Sequence, residues 1–212
     1  ISGILNINNT QIILYDTPGL DFFIKKNIDF NKQKIKIELL EIINLVDLIL
    51  YIVDVKKINL QYIQKNIERI NQSNKPVVVV FNKIDLIKKE LILSYIKILN
   101  EFKLIDDFFS ISAKYQKGIN HIIKYLFNKS KPGKWKYSKD IISDKSDIFI
   151  SNECTRNAIL KYLHKEIPYK IIVKNKLFKT INKKNIKIKQ LIEINNLRYK
   201  SIILGKKGEN IK

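Results

Sequence analysis

Three polar loops follow apolar runs in the first half of the chain, and their residue types suit the binding of a phosphorylated nucleotide. An aspartate at the end of a strand can hold Mg²⁺ through water, because that ion prefers hard oxygen ligands. A glycine in such a loop lets a backbone N–H approach a phosphate oxygen closely. The first loop, after the run QIILY, contains both and reads Asp16-Thr17-Pro18-Gly19. An ordinary strand-to-turn junction is the alternative for this loop.

The second loop, Asn82-Lys83-Ile84-Asp85, follows the β-branched run KPVVVVF and indicates recognition of guanine. The Asp85 carboxylate can accept hydrogen bonds from the ring N1–H and the exocyclic amine of guanine. Adenine lacks that donor pair, so a site built around Asp85 would reject it. The aliphatic stem of Lys83 can cover the base, and Asn82 can connect neighbouring loops. The alternative is that Asp85 is only a helix N-cap.

The third loop, Ser112-Ala113-Lys114, comes one strand and helix later. We expect the Ala113 N–H to donate to guanine O6, with Lys114 stacking on the base or screening it. In open α/β sheets, ligands bind beyond the carboxyl ends of the strands. The order and spacing of the three loops therefore predict a guanine-nucleotide site. No stretch before Asp16 matches the phosphate-binding pattern GxxxxGK[ST].

The elements that must position these loops alternate between strands and helices. Two short strands flank Asn8-Asn9, and residues 30–46 and 59–70 have helical spacing. The alternation predicts a doubly wound, mostly parallel sheet with helices on both faces. Residues 131–150 have no periodicity and are predicted to form a linker, in which Trp135 is interpreted as a clamp between domains, with RNA contact as the alternative.

A Gly-x-x-Gly loop lies near the end of the chain, between two helix-like segments. A helix at 151–164 and two strand-like runs precede it, which is the element order of a type II KH domain. The glycines of a KH loop let the backbone approach about four nucleotides of RNA. The loop is Gly205-Lys206-Lys207-Gly208, and Ile203 or Ile211 is expected to line a groove for the bases.

The net charge of +20 favours a polyanionic partner, and its distribution points to the C-terminal part. Residues 1–130 contain 19 Lys and Arg against 13 Asp and Glu, whereas residues 131–212 contain 21 against 7. The abundance of Lys, Ile and Asn is typical of AT-rich codons, but compositional drift alone does not explain this asymmetry. We therefore expect the C-terminal part to face nucleic acid.

Other features of the sequence narrow the classes of protein to consider. Cys154 is the one cysteine, which excludes an internal disulfide and fits a reducing compartment. No signal peptide is visible. The chain opens on Ile1 and contains no methionine, which predicts further residues upstream.

The segments YDTPGL, VFNKIDL, ISAKYQKGI and IILGKKGENIK together resemble the Era-like GTPases, a family with a C-terminal KH domain. The resemblance implies a Ras-like P-loop GTPase domain over residues 1–130, without its first strand and P-loop. The linker of residues 131–150 and a smaller α+β type II KH domain at 151–212, cut within its last helix, would follow. GTP or GDP and Mg²⁺ would be the cofactors.

The same resemblance implies roles for residues and partners. Asp16 would orient Mg²⁺, Gly19 would contact the γ-phosphate, and Leu20 stands where Ras-like enzymes have a glutamine. The family binds small-subunit ribosomal RNA near its 3′ end and assists assembly of the small ribosomal subunit. We expect a cytoplasmic monomer with weak peripheral association at the inner face of the membrane. The alternative is a non-enzymatic RNA-binding remnant whose nucleotide site no longer works.

Overall fold

The computed structural model describes residues 2–17, 30–162, 171–182, 185–196 and 198–210, with the side chains of 30–36, 161–162 and 198 left aside. The chain divides into two compact units, Ile1–Ile142 and Ser143–Lys212. The described elements of the first unit are β1 (Ser2–Ile7), β2 (Thr10–Tyr15), α1 (Phe30–Leu45), β3 (Ile49–Asp54), α2 (Leu60–Asn71), β4 (Val77–Asn82), α3 (Lys89–Asn100), β5 (Asp107–Ser110) and α4 (Ile119–Lys129). Those of the second are α5 (Asp147–Tyr162), β6 (Ile171–Asn182), β7 (Asn185–Ile194) and α6 (Arg198–Leu204).

The first two strands form an antiparallel hairpin. Asn8 in its turn has φ of 50°, a left-handed conformation that asparagine tolerates better than most residues. The predicted pair of strands around Asn8-Asn9 is therefore confirmed.

A three-stranded parallel sheet in the order β3-β4-β5 carries the core of the first unit. The central strand β4 is buried from Val77 to Phe81, because helices cover both of its faces. Val79 and Phe81 pack with side chains of α2 and α3, whereas Val78 and Val80 pack with α4. The predicted parallel sheet with helices on both faces is confirmed.

The parallel register brings the carboxyl ends of the strands together at one edge of this sheet. Asp54 at the end of β3 pairs with Asn82 at the end of β4, and Phe81 pairs with Ser110 at the end of β5. The loops that follow β4 and β5 therefore begin side by side.

Residues 135–142, which we call the strap, are hydrogen-bonded to the β1–β2 hairpin. The Gln11 side chain accepts from the backbone N–H groups of Lys136 and Tyr137, both at 3.0 Å, and its amide donates to the Tyr137 carbonyl at 2.9 Å. The Trp135 indole donates to the Asn9 carbonyl at 3.1 Å. At the other end of the strap, the Ile4 N–H donates to the Ile142 carbonyl at 2.9 Å.

The predicted linker of residues 131–150 is therefore wrong in its bounds. Polar side chains of the hairpin hold the strap by hydrogen bonds, so the strap belongs to the first unit, which ends at Ile142. The helix that was predicted from 151 begins at Asp147. The Trp135 indole donates to the Asn9 carbonyl within the first unit.

In the second unit, helices α5 and α6 pack against one face of a two-stranded antiparallel sheet. Ile159 of α5, Ile171 of β6 and Ile203 of α6 form its buried core, with Val173 and Ile192 packed against them. Gln190 of β7 is tied to α5, since it accepts from the Thr155 hydroxyl at 2.6 Å. No helix among the described residues is long and apolar enough to cross a membrane.

Candidate functional site

Asn82 joins two of the predicted nucleotide loops. Its side-chain oxygen accepts from the Lys83 N–H at 2.7 Å and from the Ala113 N–H at 3.0 Å. The expectation that Asn82 connects neighbouring loops is confirmed. The Ala113 N–H was expected to serve guanine O6, but here it donates to Asn82, because the short amide reaches across from the end of β4.

Asp85 and Ser112 form the second link between these loops. The Ser112 hydroxyl donates to a carboxylate oxygen of Asp85 at 2.5 Å. Ser112 is 1% exposed, whereas Asp85 is exposed, so the carboxylate is held from below and presented at the surface. Asp85 lies inside a short 3₁₀ turn, and α3 begins only at Lys89. The alternative that Asp85 is a helix N-cap is therefore wrong.

Lys83 is fixed at both its backbone and its ammonium group. Its φ of 67° lies in the left-handed region, which turns the side chain away from the line of β4. Its Nζ donates to a carboxylate oxygen of Asp54 at 2.6 Å. This hydrogen bond lowers the pKa of Asp54, and the Lys56 N–H and the charge of Lys57 act in the same direction.

Asp54 is a residue of this edge that the motifs did not identify. Its signal was available, since it ends an apolar strand in the same way as Asp16 and Asn82 do. What the sequence lacked was the strand order, which sets Asp54 beside Asn82.

The loop that contains Ser112 is closed by backbone hydrogen bonds. The Ser112 N–H donates to the Lys117 carbonyl at 3.0 Å, and the Lys117 N–H donates back at 3.1 Å. Gly118 follows with φ of 80°, and a Cβ there would lie 2.5 Å from the Ser110 carbonyl oxygen. This position therefore requires glycine. Lys114 is exposed, with its Nζ 5.0 Å from the centre of the Tyr115 ring.

The first loop is described only at its beginning. Asp16 and Thr17 are exposed and follow β2 directly. The predictions for Pro18, Gly19 and Leu20 lie outside the described residues. Within the described ranges there is no group of three or more His, Cys, Asp or Glu residues that could hold a metal ion.

The Gly-x-x-Gly loop of the second unit is a tight turn after α6. Gly205 and Gly208 have φ of 69° and 77°. A Cβ on Gly205 would lie 2.8 Å from the Asn210 side chain, whereas one on Gly208 would meet open space. Lys206 and Lys207 are exposed between them. The loop thus presents two ammonium groups and an open backbone at its second glycine.

Ile203 does not lie where it was predicted. It is 6% exposed and belongs to the core with Ile159 and Ile171. The helical period turns Ile203 inward and leaves its neighbours Ile202 and Leu204 exposed. Ile211, the other residue predicted to line a base groove, lies outside the described residues.

Comparison with known proteins gives relatives along the whole chain. A family model described as "50S ribosome-binding GTPase" matches residues 1–83. GTPase Era of Ehrlichia canis (strain Jake) is 35% identical over 210 residues, which are 99% of this chain and 70% of that protein. GTPase Era of Rickettsia prowazekii (strain Madrid E) is 37% identical over 217 residues, covering 100% and 70%.

The chain belongs to the Era family of GTPases. A crystal structure of Era in complex with MgGDPNP and nucleotides 1506–1542 of 16S ribosomal RNA is similar, with a TM-score of 0.75 and 26% identity over 99% of this chain and 71% of that one. An Aquifex aeolicus Era variant bound to GDP and AlF4⁻ has the same TM-score and identity. The Ras-like P-loop GTPase fold and the family predicted from the motifs are confirmed.

Proposed function

We propose that this protein binds guanine nucleotides through the loops after β4 and β5, and ribosomal RNA through its second unit. The Asp85 carboxylate carries the first half of the proposal. A buried serine hydroxyl holds it, and it is exposed beside a loop that Asn82 fixes. A carboxylate held in this way is an acceptor for the two adjacent N–H donors that guanine has and adenine lacks.

The neighbouring residues fit a purine base lying against this edge. Lys83 is held by Asp54, so its aliphatic stem is available to cover one face of the base. Lys114, exposed after Ser112 and Ala113, would cover or screen the base from the other loop. The positions of the side chains and membership of the family support these proposed roles.

The phosphates and the metal ion would lie towards the first loop. Asp16 is an exposed carboxylate at a strand end, which suits a ligand that holds Mg²⁺ through water. Thr17, Pro18 and Gly19 would complete that loop, with the Gly19 N–H toward the γ-phosphate. The ion neutralises charge on the phosphate oxygens when it is bound. We infer that GTP is hydrolysed to GDP and phosphate, with water positioned by a group other than Leu20.

The second unit is proposed to bind small-subunit ribosomal RNA near its 3′ end. The Gly205–Gly208 loop offers two exposed lysines and an open glycine, which suits contact with a sugar-phosphate backbone. A similar solved Era contains nucleotides 1506–1542 of 16S ribosomal RNA, which makes that segment the RNA to test.

We propose a role in assembly of the small ribosomal subunit, with the nucleotide state changing the affinity for RNA. Such coupling needs a ligand that binds two states of the protein with different affinity, and a γ-phosphate can supply that difference. The protein would act in the cytoplasm as a monomer, with weak peripheral contact at the inner face of the membrane.

The base-recognition proposal is tested by Asp85→Asn in the full-length gene product. An amide keeps the size of the side chain but offers a donor where the exocyclic amine of guanine needs an acceptor. GDP affinity should fall by about 100-fold or more, since the exocyclic amine of the bound guanine is left without an acceptor. XDP, which has a carbonyl in place of that amine, should gain affinity. Both are measured by competition against a fluorescent GDP analogue.

Asp140→Asn is the matched control, because Asp140 is an exposed aspartate outside these loops. It should leave both affinities at the wild-type values. If Asp85→Asn keeps the preference of the wild type for GDP over XDP, Asp85 does not read the base.

A further inference from the structure

The sheet of the second unit has one face that no described helix covers. On its inner face, the pairs of Ile171 with Ile194 and of Val173 with Ile192 pack toward the core. Successive residues of a strand point to opposite faces, and a residue and its cross-strand partner share a face. The outer face therefore comprises the pairs of Ile172 with Glu193, Lys174 with Leu191, Leu177 with Lys189 and Lys179 with Lys187.

Exposure confirms which face is outward. Ile172 is 52% exposed and Leu191 is 40% exposed, whereas Ile171 is 3% exposed. Beyond the bulge between Asn175 and Leu177, most residues of both strands are exposed. The far half of this hairpin thus extends beyond the core and is accessible to a partner.

The outer face is basic. Lys174 is neutralised by Glu193, with Nζ and the carboxylate oxygen 2.7 Å apart. Lys179, Lys187 and Lys189, which we call the outer lysine triad, are all exposed. Among the residues that the structure describes, no carboxylate lies within ion-pair distance of the triad.

Two members of the triad face each other across the ladder. Lys179 and Lys187 are directly opposed, an arrangement of like charges that destabilises a pair of strands. Lys189 is two residues from Lys187 and lies on the same face. These three ammonium groups repel one another, and the binding of a polyanion would reduce that repulsion.

We propose that the outer lysine triad binds the phosphate backbone of RNA as a second contact, in addition to that of the Gly205–Gly208 loop. The inference rests on the proposed function, in which the second unit binds RNA. A Gly-x-x-Gly loop engages about four nucleotides, so a longer RNA needs further phosphate contacts. The described pairs of the outer face include no aromatic residue on which a base could stack. Recognition there would therefore be electrostatic and independent of sequence.

The test is the triple variant Lys179→Gln, Lys187→Gln and Lys189→Gln of the full-length gene product. The probes are a fluorescent RNA with the sequence of nucleotides 1506–1542 of 16S ribosomal RNA and a scrambled RNA of the same length. The Kd of each is measured between 50 and 200 mM salt, where each phosphate contact adds about 0.7 to 0.9 to the log–log slope. We expect the slope to fall by about 2 and both RNAs to lose affinity in parallel.

Two control variants show whether a change in the salt dependence of RNA binding comes from the charge of this face, from the total charge of the protein or from a loss of folding. Lys65→Gln, Lys97→Gln and Lys124→Gln remove the same charge from exposed helix positions of the first unit and should leave the slope within about 0.5 of the wild type. The triple variant Lys179→Arg, Lys187→Arg and Lys189→Arg keeps the charge and should keep the wild-type slope. Gly208→Asp, in the loop, should lower the preference for the ribosomal sequence over the scrambled one.

Each remaining outcome is decisive. A triad variant with the slope of the control triple overturns the inference, and if Gly208→Asp still weakens RNA binding, the proposed function stands. A wild-type protein that binds neither RNA overturns both. If the triad variant keeps its RNA slope but loses binding to vesicles containing anionic lipids, the face is a membrane contact and the inference is wrong.

Discussion

At the scale of single residues, the sheet edge that we propose to bind the nucleotide is built from contacts between loops rather than from independent motif residues. Asp54 holds Lys83, Asn82 holds Ala113, and Ser112 holds Asp85. Each pair connects two different strands. The positions of the proposed base-reading groups therefore depend on the parallel register of β3, β4 and β5.

The Asp54–Lys83 pair predicts a measurable pKa. Its hydrogen bond holds the pKa of Asp54 below the ordinary value of 3.8. A carboxyl group with a lowered pKa in the folded state stabilises the protein above pH 3.8 and loses that contribution as the pH falls through its folded pKa. Lys83→Gln removes the charged donor, so the pKa of Asp54 should rise.

NMR titration of the Asp54 carboxyl carbon in the wild type and in Lys83→Gln measures this shift. Lys75→Gln, at a half-buried lysine just before β4 at the opposite end of the sheet, is the control and should leave the Asp54 titration unchanged. A wild-type Asp54 that titrates at 3.8 or above would contradict the ion pair as described.

The sequence predicted these residues unequally, for a physical reason. Asn82 and Asp85 lie in one continuous motif, so local spacing reveals them. Asp54 acts on Lys83 from 29 positions away, and its role appears only when β3 and β4 pair. Ile203 was predicted to line a groove for the bases, and it lies in the core, because a motif does not show which side of a short helix meets the core.

At the scale of elements, the strap joins the end of the first unit to the hairpin that leads to Asp16. Gln11 provides both the acceptor and the donor for this contact, at a separation of 126 positions from Tyr137. Residues 131–150 have mixed charge and no periodicity, which predicted a linker, because contacts made by one side-chain amide leave no periodic pattern in the sequence. The strand β4 was predicted correctly, since its buried residues are consecutive and apolar.

Gln11→Ala should release the strap from the hairpin. The backbone N–H groups of Lys136 and Tyr137 lose their acceptor, and each of these two hydrogen bonds contributes about 0.5–1.5 kcal/mol. Their hydrogen exchange should accelerate by about tenfold or more, since about 1.4 kcal/mol corresponds to a factor of ten. Hydrogen exchange followed by NMR measures both amides.

Gln61→Ala is the control for this prediction, because Gln61 is an exposed glutamine on α2. It should leave the exchange of Lys136 and Tyr137 unchanged. Equal exchange rates in Gln11→Ala and the wild type would mean that other contacts hold the strap.

At the scale of the whole molecule, the two proposed binding functions belong to different units. The first has a parallel sheet whose edge suits a guanine nucleotide, and the second has a basic hairpin and a Gly-x-x-Gly loop that suit RNA. Residues 1–142 contain 23 Lys and Arg against 14 Asp and Glu, a net charge of +9, and residues 143–212 contain 17 against 6, a net charge of +11. The second unit is therefore the more basic of the two for its length. Family membership links the two sites in one chain.

The most direct test of coupling between the two proposed sites is the Kd of the full-length gene product for the RNA of nucleotides 1506–1542 with GDPNP, GDP or AMPPNP present. We expect this Kd to differ between GDPNP and GDP by about 5-fold or more, a typical size for coupling between two sites. AMPPNP should leave the Kd at the value without nucleotide. The same Kd in all conditions, or no binding of this RNA, would rule out such coupling.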